Sequence, residues 1–281
     1  MTSILIACTR VAPPGLRIIF ATIGLWLACA AAAYGWDDVN GPAAGDPESI
    51  GRYAAGCMIG ATRLPPDGTG YQAVRLERNR HYGHPTLVRF VGSLAQQTDD
   101  VGLGLLPVGD MSQPRGGPMI EDHASHQVGL DVDIFFRLDL PRLPHEERED
   151  LELPSLVNQE RRELDEGFGE AHRELLRLAA SDPDVARIFV SPFIKQAMCE
   201  QQWQDRSFLR RLRPWFGHED HMHVRLACPP ASADCIEQAE PPAGDSCGAE
   251  LASWFDRGPI PSRPPGERRA PELPMRCDVL R

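Results

Sequence analysis

The 281-residue chain lacks the features by which several large function classes announce themselves. It has no excess of positive charge: 29 Lys and Arg stand against 40 Asp and Glu, a formal net charge of -11. A protein this acidic has no electrostatic reason to seek nucleic acid or an anionic membrane surface. It has no C-x-x-C pair, so thiolate zinc binding is not expected. Neither a G-x-S-x-G nucleophile elbow nor a P-loop occurs. His145-Glu146 opens like the helical H-E-x-x-H zinc signature, but position 149 is Glu, so the second imidazole is missing. There is no internal repeat and no low-complexity tract. One uncharged apolar run stands out near the start, Ile18 to Ala33, and it is short for a membrane span.

That run follows Arg10 and Arg17 and ends in the small residues Ala30 to Ala33, ahead of Tyr34-Gly35-Trp36. A basic start, a short apolar core and a small-residue end are the layout of a secretory signal. Residues 1–33 are therefore read as a signal peptide cleaved near Ala33. The expected mature protein, 34–281, is exported and keeps no stable membrane insertion. A retained anchor is the alternative. Cys29 would suit a lipid anchor, but Trp26 stands where such a motif usually has Leu.

Cleavage removes Cys8 and Cys29 and leaves Cys57, Cys199, Cys228, Cys235, Cys247 and Cys277. An even set in an exported protein predicts three disulfides, and six cysteines allow fifteen pairings. Twenty-six prolines and twenty-five glycines predict long loops. Apolar spacing predicts a helix over Leu87–Gln97, started by His84-Pro85, and another over Ala171–Ala180. Strands are predicted at Val101–Val108, Val128–Phe136, Ala186–Val190 and His221–Leu226, and a helical turn at Phe208–Leu212. The polar stretch Leu138–Glu170 reads as a surface insertion. From Cys228 onward Pro and Gly predict an irregular tail tied down by cysteines. The fold class expected is a single α+β domain with a central antiparallel sheet, flanking helices and disulfide-tied loops.

Five of the nine histidines fall in two tight groups. In the run from His123 to Ile134, strand alternation puts Asp131 and Asp133 on one face and Leu130, Val132 and Ile134 on the other. The carboxylates can line a cavity while the apolar residues enter the core, and His126 lies one short turn before them. In the run from Gly217 to Arg225, His221, His223 and Arg225 share a face opposite Met222 and Val224. Two imidazoles and one carboxylate make a zinc site with one coordination position left for water. Zinc lowers that water's pKa to about 7, which supplies a nucleophile for amide hydrolysis. A histidine of the pair that is not a ligand can serve as base or oxyanion partner. Asp131 reads either as a carboxylate orienting a ligand imidazole or as an ordinary strand residue.

His126-x6-Asp133 followed by His221-x-His223 resembles the signature of the metallopeptidase group that includes lysostaphin, the D-Ala-D-Ala peptidases and the hedgehog zinc domain. More closely, the chain resembles the penicillin-insensitive murein endopeptidases. The likeness rests on Gly83-His84-Pro85, Gly109-Asp110-Met111, His123-Ala124-Ser125-His126-Gln127, Arg213-Pro214-Trp215-Phe216, His221-Met222-His223-Val224-Arg225 and Cys247-Gly248-Ala249-Glu250-Leu251. It implies Zn2+ held by His126, Asp133 and His223. His221 then assists the water or the oxyanion, and His218 is a further active-site histidine. It implies hydrolysis of the D-alanyl–meso-diaminopimelyl cross-link of peptidoglycan in the periplasm. It also implies the pairings Cys57–Cys277, Cys199–Cys247 and Cys228–Cys235.

The resemblance further implies a second metal near a homodimer contact, held by His123 with an Asp and a His from the insertion. The insertion here reads Asn158-Gln159-Glu160-Arg161-Arg162-Glu163, with neither. His123 is thus left as a second metal ligand, a partner to the first site, or idle. Two rivals share the zinc site: a D,D-carboxypeptidase, and a non-catalytic cell-wall-binding module.

Overall fold

A computed structural model describes residues 35–119, 123–158, 160–257 and 271–281. The expected signal peptide, 1–33, lies outside them, as do Cys8 and Cys29. In chain order the elements are β1 (Glu48–Arg52), β2 (Ala55–Ile59), β3 (Thr62–Arg63), β4 (Asp67–Gly68), β5 (Tyr71–Ala73), β6 (Tyr82–Gly83), α1 (Pro85–Asp100), β7 (Leu106–Val108), β8 (Asp131–Phe135), β9 (Val157–Asn158), β10 (Glu163–Leu164), α2 (Glu170–Ser181), β11 (Val185–Val190), α3 (Pro192–Glu200), β12 (Leu212–Pro214), β13 (His221–Leu226) and α4 (Ala249–Arg257). No helix among the described residues is long and apolar enough to cross a membrane.

Seven strands form the main sheet in the order β12-β11-β13-β8-β7-β5-β4. The expectation of an antiparallel sheet is corrected: β11 pairs with β12 and β5 with β7 in parallel. A parallel pair needs a crossover. Helix α1 lies in the chain between β5 and β7, and α3 between β11 and β12. The middle of the sheet, β11-β13-β8-β7, is antiparallel as expected.

Helix α1 forms where its spacing predicts and extends the reading at both ends. The His84 ring accepts a hydrogen bond from the Thr86 N–H (3.2 Å), and Pro85 occupies the first turn, where no N–H is needed. Leu87, Phe90, Val91 and Leu94 are buried in the core cluster that also holds the inward residues of the sheet, each worth about 1.5–3 kcal/mol of transfer free energy. The strand expected over Val101–Val108 shrinks to Leu106–Val108. Gly104 stands at φ +99, and a Cβ there would meet the Leu138 carbonyl oxygen at 2.2 Å. The strand expected from Val128 begins at Asp131, because Gly129 turns the chain at φ +70 against Met58 Sδ.

The polar insertion is largely irregular but is not wholly a surface feature. Arg148 is buried and donates to the carbonyls of Leu143 and Pro66 and to the Asp67 carboxylate. In the tail, α4 interrupts the irregular chain. Three disulfides join Cys57–Cys277, Cys199–Cys247 and Cys228–Cys235, the pairings implied by the resemblance. The last closes a loop directly after β13.

Candidate metal centre and active site

Strands β8 and β13 run antiparallel with His223 opposite Asp133, Arg225 opposite Asp131 and His221 opposite Phe135. Directly opposed residues share a face. The register therefore sets two carboxylates and two imidazoles side by side on one surface. Val132, Ile134, Met222 and Val224, on the other surface, are fully buried in the core.

His126 reaches this surface from the loop before β8. Its backbone is left-handed, φ 67, a conformation that costs a non-glycine residue about 1 kcal/mol. Two bonds hold it there. The His126 N–H donates to Asp131 Oδ2 at 2.9 Å, and the ring Nδ1 lies 2.5 Å from the Met111 carbonyl. A carbonyl only accepts, so Nδ1 carries the proton and Nε2 presents a lone pair.

That Nε2 lies 3.2 Å from His223 Nδ1 and 3.4 Å from Asp133 Oδ1, and the latter two atoms are 3.3 Å apart. Ligand atoms around a tetrahedral ion at Zn–N and Zn–O bond lengths stand about 3.3 Å from one another. Asp133 Oδ1 is buried and has no hydrogen-bond donor. A buried anionic oxygen left unpaired is costly, and a cation in the middle of the triangle satisfies it. The donor set, two imidazoles and a carboxylate, suits a borderline ion such as Zn2+.

His123 completes an overlapping group with His126 and Asp133, whose ligand atoms all lie within 4.8 Å of one another and could hold a metal ion. Its geometry is looser: Nδ1 is 3.7 Å from Asp133 Oδ2, while Nε2 is engaged with Asp110 Oδ2 at 2.8 Å. Asp110 also binds Arg78 and Arg80, at 3.1 and 3.2 Å.

Asp131 is completely buried and ties the surface together. It receives a forked pair of bonds from Arg225, at 2.7 and 3.2 Å, besides the His126 N–H. His223 Nε2 stands 3.2 Å from its Oδ1, off the line of a hydrogen bond. Burial alone would raise the Asp131 carboxyl, but Arg225 and His223 hold it well below the usual carboxylate range. The Arg225 guanidinium lies over the Tyr53 ring at 4.3 Å and near the Phe189 ring at 5.2 Å.

His221 has its Nδ1 2.5 Å from Asp220 Oδ1 and its Nε2 3.8 Å from Asp133 Oδ1. Burial works against its charge, yet Asp133 and Asp220 outweigh burial and raise it from its ordinary value. The ring of His218 is 4.9 Å from that of His221. Burial, with His221 and His223 adding to it, pushes His218 down to about 3, so it is neutral at neutral pH. All seven residues singled out in sequence, His123, His126, Asp131, Asp133, His218, His221 and His223, thus converge. Sequence reasoning gave no role to Asp110, Arg225 or Asp220. Arg225 shares the alternation of His221 and His223, which is the signal that could have found it.

A family model described as "Penicillin-insensitive murein endopeptidase" matches residues 49–281. Among curated proteins, one from Klebsiella pneumoniae (strain 342) is 43% identical over 250 residues, covering 89% of this chain and 91% of its own length. One from Yersinia pestis is 44% identical, covering 89% and 90%, and one from Salmonella paratyphi B is 43% identical, covering 89% and 91%. All three carry the name penicillin-insensitive murein endopeptidase. At this identity and coverage, with the histidine surface assembled as described, the chain belongs to the penicillin-insensitive murein endopeptidase family.

Proposed function

We propose that this protein is a zinc-dependent endopeptidase that hydrolyses the D-alanyl–meso-diaminopimelyl cross-link of peptidoglycan, with the metal held by His126, Asp133 and His223. The observation that carries the reading is the triangle of 3.2, 3.4 and 3.3 Å between their donor atoms, with a buried Asp133 oxygen that nothing else satisfies. When bound, Zn2+ would lower the pKa of a coordinated water to about 7 and polarise the scissile carbonyl.

The chain's own residues do the rest. The Met111 carbonyl fixes the His126 tautomer, so its Nε2 presents a lone pair inward, and the rear nitrogen of His223 stands 3.2 Å from Asp131 Oδ1. His221, oriented by Asp220 and facing the centre through Nε2, takes the proton of the attacking water and returns it to the departing amine. Neutral His218, its ring 4.9 Å from that of His221, leaves the proton to it. No side chain forms a covalent bond with substrate in this scheme, so a β-lactam has no serine to acylate. The three disulfides suit an oxidising compartment. With residues 1–33 as an export signal, that compartment is the periplasm.

Purified protein loaded with zinc should split cross-linked muropeptide dimers into monomers. EDTA should abolish the reaction, zinc should restore it, and penicillin should leave it unchanged. Dimers left intact by metal-loaded protein would sink the proposal. Free alanine as the product would favour a carboxypeptidase instead.

A further inference from the structure

Beside the histidine surface stands a large aromatic ring that the hydrolytic scheme does not use. Trp215 is 45% exposed, and it is the one aromatic among the exposed large hydrophobic residues described. A single exposed apolar side chain needs no explanation by itself. Its mounting and its location do. Its backbone N–H donates to the Val190 carbonyl at 2.7 Å. Its indole packs edge-on against Phe189, with ring centres 5.9 Å apart, and tilted against Trp254 at 5.6 Å. Phe189 is paired across the sheet with His223, and its ring is 5.3 Å from the His223 ring and 6.1 Å from that of His218. The indole is therefore buttressed from beneath, and its support is continuous with the proposed metal ligands. A ring held this way offers a large contact area and loses little conformational freedom when something lands on it.

The reach decides what lands there. Ring steps of 5.3 and 5.9 Å put the indole no more than about 11 Å from the His223 imidazole. An extended chain covers about 3.3–3.6 Å per residue, so this is the span of roughly three residues. A cross-linked stem peptide with its scissile carbonyl at the histidine surface brings its own nearby residues to Trp215. The glycan is attached farther along the stem. The aliphatic side chain of diaminopimelate and the methyl groups of alanine are the apolar parts within reach.

Resting on the murein reading above, we propose that Trp215 is a substrate-binding shelf on which the aliphatic portion of the stem peptide packs, and that it sets affinity rather than chemical rate. Phe189 and Trp254 position the shelf.

The test compares wild-type, Trp215→Phe and Trp215→Ala zinc proteins on two soluble substrates. One is disaccharide-tetrapeptide dimers; the other is the same dimers after amidase removal of the sugars. Trp215→Ala is expected to raise KM about tenfold on both substrates, with kcat within twofold, and Trp215→Phe to recover most of the loss. An unchanged KM overturns the proposal. So does a rise confined to the glycan-bearing substrate, which would make the ring a sugar platform, or a fall in kcat at constant KM. Calorimetric binding of the sugar-free dimer to metal-free protein provides a second measurement independent of turnover. If the wild-type protein binds but never cleaves, the endopeptidase reading fails while a tenfold affinity loss in Trp215→Ala still supports the shelf. Equal affinities would remove it.

Discussion

At the level of single residues, the histidines divide by what lies behind them. His126 is backed by a carbonyl, His223 by Asp131 and His221 by Asp220. The carbonyl behind His126 leaves a lone pair facing Asp133. The third backing gives an imidazole that gains and loses a proton. Replacing His221 with Ala should leave zinc stoichiometry, measured by metal analysis of the dialysed protein, at the wild-type value. Its kcat should fall by about 10²–10⁴, the usual contribution of a general base. Loss of the metal in that variant would instead make His221 a ligand. Asp131 has a different role, because its removal strands several partners at once. Asp131→Ala leaves the Arg225 guanidinium buried without its carboxylate and the strained His126 backbone without its acceptor. Urea unfolding of that variant should show a loss of about 3–5 kcal/mol, the cost of breaking a buried ion pair. A loss below about 1 kcal/mol, no more than an exposed pair is worth, would show that the pair is not structural.

At the level of elements, two adjacent strands and one turn build the site, and they were legible to different degrees. His221–Leu226 alternates polar and apolar residues without interruption, and its boundaries in the structure are those read from the sequence. The surface shared by Asp131 and Asp133 followed from the same alternation. What alternation does not encode is the partner, and the pairing of His223 with Asp133 is a property of the sheet. The missed elements have different physical causes. Strand β5 is three residues long, too short to show a period, and without it the crossover through α1 and the parallel edge could not be seen. Helix α3 opens at Ser191-Pro192, directly after the strand read to Val190, and no element was read from the sequence over Pro192–Glu200. The turn carrying His126 depends on Gly129, where an added Cβ would lie 2.1 Å from Met58 Sδ at a positive φ. Gly129→Ala should therefore cost more than about 1 kcal/mol in unfolding free energy. It should also weaken zinc binding in a chelator competition, because the displaced turn holds His126. Unchanged zinc affinity in a destabilised variant would separate the turn from the site.

Across the whole molecule, cationic work falls almost entirely to arginine. Lys195 is the only lysine in the chain, and it is fully buried, donating to the carbonyls of Leu209 and Asp245 at 2.8 Å each. Burial, reinforced by Arg213 and Arg206, pushes its amine from 10.5 down to about 7. The sign follows from proton counts. Between about pH 7 and 10.5 the unfolded chain binds this proton and the folded one does not, so stability rises with pH across that window. The slope from this group is at most about 1.4 kcal/mol per pH unit. Urea titrations at pH 7, 8 and 9 should show a steeper rise for the wild type than for Lys195→Met, and parallel curves would contradict it.

The same scale contains a covalent clasp. Cys57 and Cys277 are 220 residues apart, and the segment Met275–Leu280 lies against β2 with Arg276 clamping Glu48 and Asp234. The bond fastens one of the first strands of the described fold to its last described segment, so a single cut in the chain between them leaves the pieces covalently joined until the disulfide is reduced.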